Sequence, residues 1–424
     1  MATESIAPKL KTLLENLLQT PIPVRLRAWD GSEAGPADTP VLVIRHRRAL
    51  RRLMWQPNEL GLARAYVAGE IAVEGDLYTA LDRLAGLIWR PPAIRGLPIR
   101  AVAGDLLRLG IIGTQPKPPA EEMTLSGVRH SRRRDRQAVS HHYDVGNDFY
   151  RIVLGSSMVY SCAYWTSTDG GYDLADAQRD KLDLICRKLD LRPGMRLLDV
   201  GCGWGGMAMH AARQYGVQVL GVTLSTEQAD YARKQVAEAG LAGQVEIRVE
   251  DYRDLDDGPF DAISSIGMAE HVGTGPYGEY AAVLYRQLKP GGRLLNHQIA
   301  AIAPDPEPAG RSFIDAYVFP DGELAPLGTT VSLIEGAGFE VRDVQALREH
   351  YARTLRVWVA NLESDWSTAV RLTSPGRARV WRLYMAASAL AFEHGRIGVN
   401  QVLAVKPHRD GASDMPPTRA GWLT

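Results

Sequence analysis

The feature that most constrains this chain is a short apolar run that ends in an acid and a glycine-rich corner. Residues 197–206 read LLDVGCGWGG, and a helical pattern follows over 207–213. This pattern predicts a buried strand, a tight turn and a helix, the first unit of a doubly wound α/β sheet. Gly201, Gly203 and Gly205 would let the backbone bend sharply and approach a ligand closely, because a Cβ atom would block both.

The spacing of the glycines narrows the class of ligand. G-x-G-x-G is shorter than the dinucleotide fingerprint G-x-G-x-x-G, and no P-loop lysine follows the corner. The form DVGCGWG therefore favours a nucleoside–amino-acid ligand such as S-adenosylmethionine, bound at the carboxyl end of the strand. A structural turn without a ligand is the alternative explanation of a glycine corner taken alone.

Composition and charge exclude several other classes of protein. The chain has 49 basic and 49 acidic residues, so no overall field favours nucleic acid as a partner. Its three cysteines, Cys162, Cys186 and Cys202, have no zinc-site spacing and favour a reducing compartment without disulfides. Residues 1–18 do not resemble a secretory signal, and no apolar run reaches the length of a membrane span. We therefore predict a cytoplasmic protein with no bound metal.

The first part of the chain predicts a small α+β domain followed by a linker. We expect this domain over residues 1–90, with helices at 5–20, 47–55, 58–68 and 76–88 and strands at 24–26 and 41–44. The linker over 91–137 contains an apolar cluster at 106–112 and a basic run at 130–136. Both features fit an ordered, solvated linker, and both also fit a segment that touches an anionic lipid surface.

Strands and helices alternate over the larger part of the chain. We expect one catalytic domain over 138–407 and a disordered tail over 408–424, which is rich in Pro, Gly, Asp and Arg. The final two strands are expected to be antiparallel at one edge of the sheet. The seven predicted strands are 197–200, 218–222, 245–249, 261–266, 293–296, 338–344 and 398–405.

Polar residues follow several of these strands at their carboxyl ends. Thr223 follows the second strand, where many nucleoside-binding folds have an acid for the ribose, and Gln228 lies one helical turn further on. Ser225 and Thr226 could instead serve only as helix caps. Tyr252 follows the third strand, where an adenine ring would lie.

Further candidates for chemistry stand after the fourth and fifth strands. Glu270 and His271 follow the fourth strand, and His297 stands at the end of the fifth. A helix N-terminal acid and a structural histidine are the alternative roles. An aromatic-rich loop over 158–165 also contains a cysteine, Cys162.

Together these motifs resemble the cyclopropane-fatty-acyl-phospholipid synthase family, which includes the mycolic acid cyclopropane synthases. The resemblance covers about 138–362 and implies a class I methyltransferase-like fold with a seven-stranded sheet. The N-terminal domain is similar to that of the longer, phospholipid-acting members. The matching stretches are 142–150, 160–165, the glycine corner, 221–225 with Gln228, 265–273, and Tyr351 with Thr354 and Leu355.

The resemblance implies a reaction. The cis double bond of a phospholipid acyl chain attacks the methyl group of S-adenosylmethionine, a carbocation forms, and loss of a proton from the new methyl group closes a cyclopropane. Proton loss from the neighbouring carbon would instead give a mid-chain methylene, which a partner reductase could convert to a methyl branch. A small-molecule methyltransferase and an inactive lipid-binding scaffold are the remaining alternatives.

The resemblance also implies residue roles. A bound bicarbonate would act as the base, held by the backbone of Cys162 and Ile299 and by the side chains of Glu270, His297 and Tyr351. The cofactor set is Tyr160, Ser161, Asp199, Gly201, Gly203, Gly205, Thr223, Leu224, Gln228 and Tyr252. The aromatic candidates for a cation pocket are Tyr143, Tyr164, Tyr317 and Phe319, with Tyr160, Trp165 and Phe313 as further members.

Two departures from the family pattern bear on the product and the substrate. Residues 296–298, Asn-His-Gln, are more polar than expected of a bacterial cyclopropane synthase, and 313–323 carries acids near the expected acyl entrance. As partners we expect a phospholipid bilayer at the inner face of the membrane, with peripheral association. The N-terminal domain would contact lipid or form a homodimer, since two attached copies would gain effective concentration at a membrane.

Overall fold

A computed structural model describes residues 5–89, 104–107, 109–124, 127–143, 145–302 and 311–423. Pro91 and Pro92 of the predicted linker lie outside the described residues. The strands are β1 (Arg25–Arg27), β2 (Glu33–Ala34), β3 (Val41–Ile44), β4 (Ile71–Glu74), β5 (Arg196–Val200), β6 (Gln218–Thr223), β7 (Val245–Val249), β8 (Phe260–Ile266), β9 (Leu288–Ala301), β10 (Glu340–Ala346) and β11 (Ile397–Val405).

The helices follow the predicted pattern closely. They are α1 (Ile6–Leu18), α2 (Arg48–Trp55), α3 (Glu59–Val67), α4 (Leu77–Trp89), α5 (Arg132–Tyr143), α6 (Asn147–Leu154), α7 (Leu174–Lys188), α8 (Gly206–Tyr215), α9 (Thr226–Glu238), α10 (Ala269–Val272), α11 (Tyr277–Gln287), α12 (Phe313–Tyr317), α13 (Leu327–Gly336), α14 (Arg348–Ser364), α15 (Trp366–Leu372), α16 (Pro375–Glu393) and α17 (Ala420–Leu423). Among the described residues, none of these helices is long and apolar enough to cross a membrane.

The chain forms two compact units whose boundaries differ from the predicted ones. The first unit comprises Met1–Thr124, Pro308–Val318 and Thr373–Leu390 rather than residues 1–90 alone. Its boundary could not be seen in the local pattern, because two later segments of the chain return to it. The second unit comprises Leu125–Glu307, Phe319–Leu372 and Ala391–Thr424.

The first unit is built on a four-stranded sheet in the order β2-β1-β3-β4. Its core includes Leu10, Ile44, Leu50 and Tyr66. No strand was predicted between the helices at 58–68 and 76–88, but Ile71–Glu74 is a strand that pairs antiparallel with β3. The strand was missed because the flanking glycines at 69 and 75 obscured a run of only three apolar residues, Ile71 to Val73.

The apolar cluster at 106–112 divides between the core and the surface of this unit. Leu109 and Ile111 are buried in the same core as Leu10. Leu107 and Ile112 are exposed, at 65% and 46%. The segment is therefore an integral part of the first unit and not only a linker.

The second unit contains the predicted seven-stranded sheet, in the order β10-β11-β9-β8-β5-β6-β7. β5, which carries the glycine corner, lies between β6 and β8 and runs parallel to both. Only β11 runs against its neighbours, pairing antiparallel with β9 and β10 at one edge. Leu197 and Leu198 lie in separate cores on the two faces, as side-chain alternation requires. The predicted fold class is confirmed.

Two local expectations in this unit differ from the structure. β9 extends to Ala301, so His297 lies within the strand rather than at its end; pairing with β11 carries the strand past it. The tail beyond 408 also has a defined path. Arg419 pairs with the buried Asp343 at 2.7 Å, and Trp422 packs into the core beside α7. One aromatic side chain and one ion pair thus outweigh a composition typical of disorder.

Candidate active site

The glycine corner joins β5 to α8 in the predicted manner. Gly201, Gly203 and Gly205 all have positive φ, at 75°, 53° and 83°, which a side chain would disfavour. A Cβ on Gly201 would lie 2.3 Å from the Met268 sulfur, so close packing also requires glycine there. At Gly205 a Cβ would lie 3.1 Å from that of Ala232 on α9. Gly205 therefore serves helix packing rather than the cavity.

A pair of adjoining cavities surrounds this corner at the carboxyl edge of the sheet. Both are lined by Tyr143, Gly201, Gly203 and Gln228. The first cavity also contains Thr223, Leu224 and Tyr252, and the second contains Tyr160, Ser161 and Asp199. Apart from Gly205, the structure brings the predicted cofactor residues to one place.

The end of β6 combines the two predicted roles. Ser225 caps α9 by accepting from the Gln228 backbone N–H at 3.2 Å. The Thr223 hydroxyl donates to the Gln228 Oε1 at 2.9 Å, and both side chains are buried. Capping is thus the role of Ser225, while Thr223 and Gln228 present uncharged polar groups to the cavity.

Asp199 and Lys181 form a buried pair of titratable groups behind the corner. Burial raises the pKa of Asp199 to about 6, although Ser264 donates to its Oδ1 at 2.7 Å. Burial lowers the pKa of Lys181 to about 8, and its ammonium donates to the Ser161 hydroxyl at 2.9 Å. Lys181 was not among the residues predicted from the sequence; its signal was a lysine on the apolar face of α7.

Glu270 lies on α10, at the carboxyl edge beside β9. Its Oε1 accepts the backbone N–H of Ile299 at 2.7 Å. Its Oε2 is inaccessible to solvent and has no partner among the described residues. Part of the Glu270 residue is exposed to solvent, but its carboxylate atoms are enclosed. The burial of the carboxylate raises the pKa of Glu270 to about 7.

His297 is almost fully buried on β9, two residues before Ile299. Burial, with the charges of Lys181 and Lys188, lowers the pKa of His297 to about 3, so its ring is neutral. Its Nδ1 lies 3.3 Å from the amide nitrogen of Gln401, and its Nε2 has no partner within the described part of the chain.

The other two predicted base-site residues, Cys162 and Tyr351, are linked to Ile299 through the backbone. Val399 on β11 pairs with Ile299, and its carbonyl accepts the N–H of Leu347 at 2.9 Å. Leu347 precedes α14 and therefore Tyr351, and its carbonyl lies 3.7 Å from the Cys162 sulfur. Burial raises the pKa of Cys162, so its thiol is neutral and unsuited to act as a nucleophile.

The structure explains why the residues on either side of His297 are more polar than the family pattern. Asn296 and Gln298 point to the opposite face of β9 from His297. The Asn296 amide donates to Gln298 at 2.7 Å, and the Gln298 amide donates to the Thr330 hydroxyl at 2.7 Å. These polar side chains satisfy one another within the sheet's other face and do not alter the base site.

Aromatic rings cluster beside the corner in the second unit. His142 lies 4.2 Å from Phe319 and 5.5 Å from Tyr160 between ring centroids, and Tyr143 lies 5.8 Å from Trp204. This aromatic cluster contains three predicted rings, Tyr143, Tyr160 and Phe319. Its other members are His142, Trp204 and His271, all within the matching stretches. Of these, only His271 was named beforehand, as a candidate for chemistry and not as part of an aromatic pocket.

Several predicted aromatic residues lie elsewhere. Tyr317 belongs to the first unit, where its hydroxyl donates to Glu122 at 3.0 Å and its ring packs on Phe313. Tyr164 packs on His350, with ring centroids 5.0 Å apart, and Trp165 donates to the Thr354 hydroxyl at 3.1 Å. None of these four lines the two cavities, so their assignment to a cation pocket is not supported within the second unit.

Helix α5, which contains most of the basic run, forms one wall of the first cavity. Asp135 and Tyr143 line it. Arg134 pairs with Asp321, and Asp135 accepts from Arg253 at 2.9 Å. Part of the basic run is thus occupied with internal ion pairs that hold the helix over the cavity.

The geometry agrees with the comparison to known proteins. The sequence profile described as mycolic acid cyclopropane synthetase matches residues 130–402. The chain belongs to that family. The resemblance stated from the motifs is thereby confirmed, and this family member is an S-adenosylmethionine-dependent methyltransferase.

Individual relatives support the same assignment. A probable fatty acid methyltransferase of Pseudomonas putida is 41% identical over 404 residues, which cover 94% of this chain and 95% of that protein. The cyclopropane-fatty-acyl-phospholipid synthase of Escherichia coli K12 is 38% identical over 304 residues, covering 70% and 76%. The solved structure of mycolic acid cyclopropane synthase CmaA1 with SAH and CTAB has a TM-score of 0.60 at 35% identity, covering 63% of this chain and 97% of that one.

Proposed function

We propose that this methyltransferase adds a one-carbon unit to the cis double bond of an unsaturated phospholipid acyl chain and closes a cyclopropane. The observation that carries the proposal is a pair of enclosed polar atoms, Glu270 Oε2 and His297 Nε2. Glu270 bonds the backbone of Ile299, two residues after His297 on β9. Neither enclosed atom has a partner among the described residues. Buried polar atoms are almost always satisfied, so this pair indicates a small polar ligand in addition to the methyl donor.

The corner suits S-adenosylmethionine as the methyl donor. The backbone at Gly201 and Gly203 can approach the ligand closely, and Thr223 and Gln228 offer neutral partners for ribose hydroxyls. Asp199 Oδ2, which is buried and also has no partner in the described part of the chain, is an acceptor suited to the ammonium group. When bound, the sulfonium supplies an electrophilic methyl group.

The aromatic cluster suits the acyl chain and the cation formed on it. An alkene is a poor nucleophile, so positioning must supply much of the rate enhancement. Tyr143 and Tyr160 line the cavities and offer ring faces that attract a cation. Phe319 packs on His142, which also stacks with Tyr160. A site for an oxygen or nitrogen nucleophile would not need this apolar cluster.

Bicarbonate is the base in this proposal, and the two enclosed atoms suit it. An ionised Glu270 Oε2 would accept the bicarbonate O–H, and a His297 N–H would donate to a bicarbonate oxygen. The Ile299 N–H already donates to Glu270, so this residue orients the carboxylate rather than holding the anion through that group. Held there, bicarbonate would supply the base for the proton that the new methyl group loses as the ring closes.

An exposed surface on the first unit supports a bilayer as the source of the substrate. Trp55 and Met54 on α2 are exposed, at 55% and 44%, as are Leu107 and Ile112. The Trp55 indole donates to the Gly113 carbonyl at 3.1 Å, so α2 adjoins the 107–113 segment. We name these four side chains the α2 surface.

Arginines surround the α2 surface. Arg45 and Arg47 are exposed, and Arg51 donates to the Ile111 carbonyl at 3.0 Å. Among the described residues, none of the three has a carboxylate partner. Apolar side chains with arginines beside them suit an anionic bilayer, which would hold the enzyme peripherally at the inner face of the membrane.

A second product is favoured by the name of a relative. The Pseudomonas putida protein is named a probable fatty acid methyltransferase, and that name does not mention a cyclopropane ring. The same cation can lose a proton from the adjacent chain carbon, which would give a mid-chain methylene and require a separate reductase to form a methyl branch.

The test is incubation of the full chain with S-adenosylmethionine, bicarbonate and vesicles of dioleoyl phospholipid. We expect each modified acyl chain to gain the mass of one CH2 group, and Glu270→Gln to give no gain. Absence of any gain with the wild-type enzyme, at full cofactor binding, would overturn the proposal in favour of a small-molecule methyltransferase. Cofactor binding without turnover on any substrate would indicate a scaffold.

A further inference from the structure

A row of polar side chains crosses three neighbouring strands on one face of the seven-stranded sheet. Gln345 on β10 lies opposite Gln401 on β11, and Gln401 lies opposite His297 on β9. Gln401 and His297 are 0% and 2% exposed. Residues directly opposite on paired strands share a face and lie within side-chain reach. The row therefore ends at the candidate base site.

Lys188, at the end of α7, covers this row. Its ammonium donates to Gln345 Oε1 at 2.6 Å and to Gln401 Oε1 at 2.9 Å, and it lies 3.5 Å from the Asp343 carboxylate. An ammonium has three N–H donors and no acceptor. Each donor thus has an oxygen partner, which fixes the position of Lys188.

This arrangement determines the orientation of the Gln401 amide. Because an ammonium can only donate, Gln401 must present its oxygen to Lys188. Its NH2 group then faces His297, with 3.3 Å between Gln401 Nε2 and His297 Nδ1. Since an amide NH2 group can only donate, Nδ1 must be a bare acceptor, and the proton of the neutral ring is on Nε2.

We propose that Lys188 and Gln401 are positioning residues that hold His297 in its Nε2–H tautomer. The opposite tautomer would present a lone pair from Nε2, which repels an anion, whereas Nε2–H donates to one. The role of that anion rests on the proposed function. The tautomer does not, since it follows from the hydrogen bonds of Lys188 and Gln401 alone.

The direct test is nitrogen NMR of the full chain labelled with 15N-histidine, recorded without cofactor or lipid. The chain has ten histidines, and loss of one signal in His297→Asn assigns the ring. We expect a protonated Nε2 and a bare Nδ1 near neutral pH. A protonated Nδ1, whether in a neutral ring or an imidazolium, would overturn the proposal.

Gln401→Glu tests the cause of the tautomer with little change of shape. A carboxylate accepts from both Lys188 and the ring, so the ring proton should move to Nδ1. We expect kcat to fall roughly tenfold to a hundredfold, as for other partners that orient a ligand histidine, with unchanged cofactor affinity. Lys188→Met frees the Gln401 amide to rotate and should give a mixture of both tautomers.

Lys406→Met is the matched control, because Lys406 follows the same strand. In the described part of the chain its ammonium donates to the carbonyls of Tyr285 and Leu288 and to no member of the polar row. The ring-nitrogen signals of His297 in Lys406→Met should match those of the wild type. A wild-type spectrum in Gln401→Glu would overturn the proposal, as would a parallel loss of kcat and cofactor affinity. If the tautomer is found but no lipid is alkylated, the proposed function fails and the positioning role stands.

Discussion

At the level of single residues, Glu270 illustrates how a site can reduce stability in order to hold a reactive group. Burial raises its pKa from an ordinary 4.5 to about 7. The folded state therefore holds the proton more tightly than the unfolded state, and the folded protein loses stability as pH rises from about 4.5 to 7. Above pH 7 the full cost of the enclosed charge is present.

Glu270→Gln should remove that cost. At pH 8 we expect its free energy of unfolding to exceed that of the wild type by about 3 kcal/mol, since an amide avoids the buried charge and still accepts the Ile299 N–H. Below pH 4.5 the difference should vanish. Urea denaturation at both pH values measures it, and a variant that is less stable than the wild type at pH 8 would contradict the argument.

At the level of secondary structure, α5 connects the basic run to cofactor binding. Its side chains line the cavity, and Arg134 holds it to Asp321, with both side chains largely buried. Arg134→Gln should raise the dissociation constant of S-adenosylmethionine about tenfold, because a broken, largely buried ion pair costs more than an exposed one. Calorimetry measures it. Arg136→Gln, an exposed position on the same helix, should bind the cofactor normally.

A substitution in helix α17 would test whether the end of the chain stabilises the fold. Trp422 is 6% exposed and packs into the core beside α7. Trp422→Ala should lower the free energy of unfolding by about 3 kcal/mol through lost apolar contact and the cavity it leaves. Arg409→Ala, at an exposed position in the same segment, is the control. Equal unfolding midpoints for the two variants would show that the tail does not stabilise the core.

The α2 surface makes a prediction of its own about membranes. Replacing Trp55 and Leu107 together with serine should lower co-sedimentation with phosphatidylglycerol vesicles about tenfold or more, because interfacial binding scales with buried apolar area. Activity on the same lipid dispersed in detergent should persist. If vesicle binding is unchanged while sedimentation velocity shows a dimer converted to a monomer, the surface is a contact between two copies instead.

At the level of the whole molecule, the sequence predicted what depends on local pattern. The glycine corner and the alternation of apolar runs were sufficient for the seven-stranded sheet, and Glu270 stood where a parallel strand ends. His297 was expected at a strand end but lies within β9. Contacts between distant segments could not be predicted in this way. Gln401 and Lys188 meet His297 only because β11 pairs with β9 and α7 covers that face, and neither residue carries a motif.

The identity of the product is determined at the level of the whole molecule, because it depends on where the acyl chain lies relative to the base. A ring and a mid-chain methylene have the same mass, so mass spectrometry of the lipid cannot distinguish them. We expect proton NMR of the extracted lipid to show high-field cyclopropane signals, because in the proposed function the base at Glu270 and His297 takes its proton from the newly transferred methyl group. Vinylidene signals would instead mean that the base reaches the neighbouring chain carbon. His297→Asn should then lower either product without changing which one forms, since the path of the acyl chain, and not the strength of the base, determines which proton is within reach.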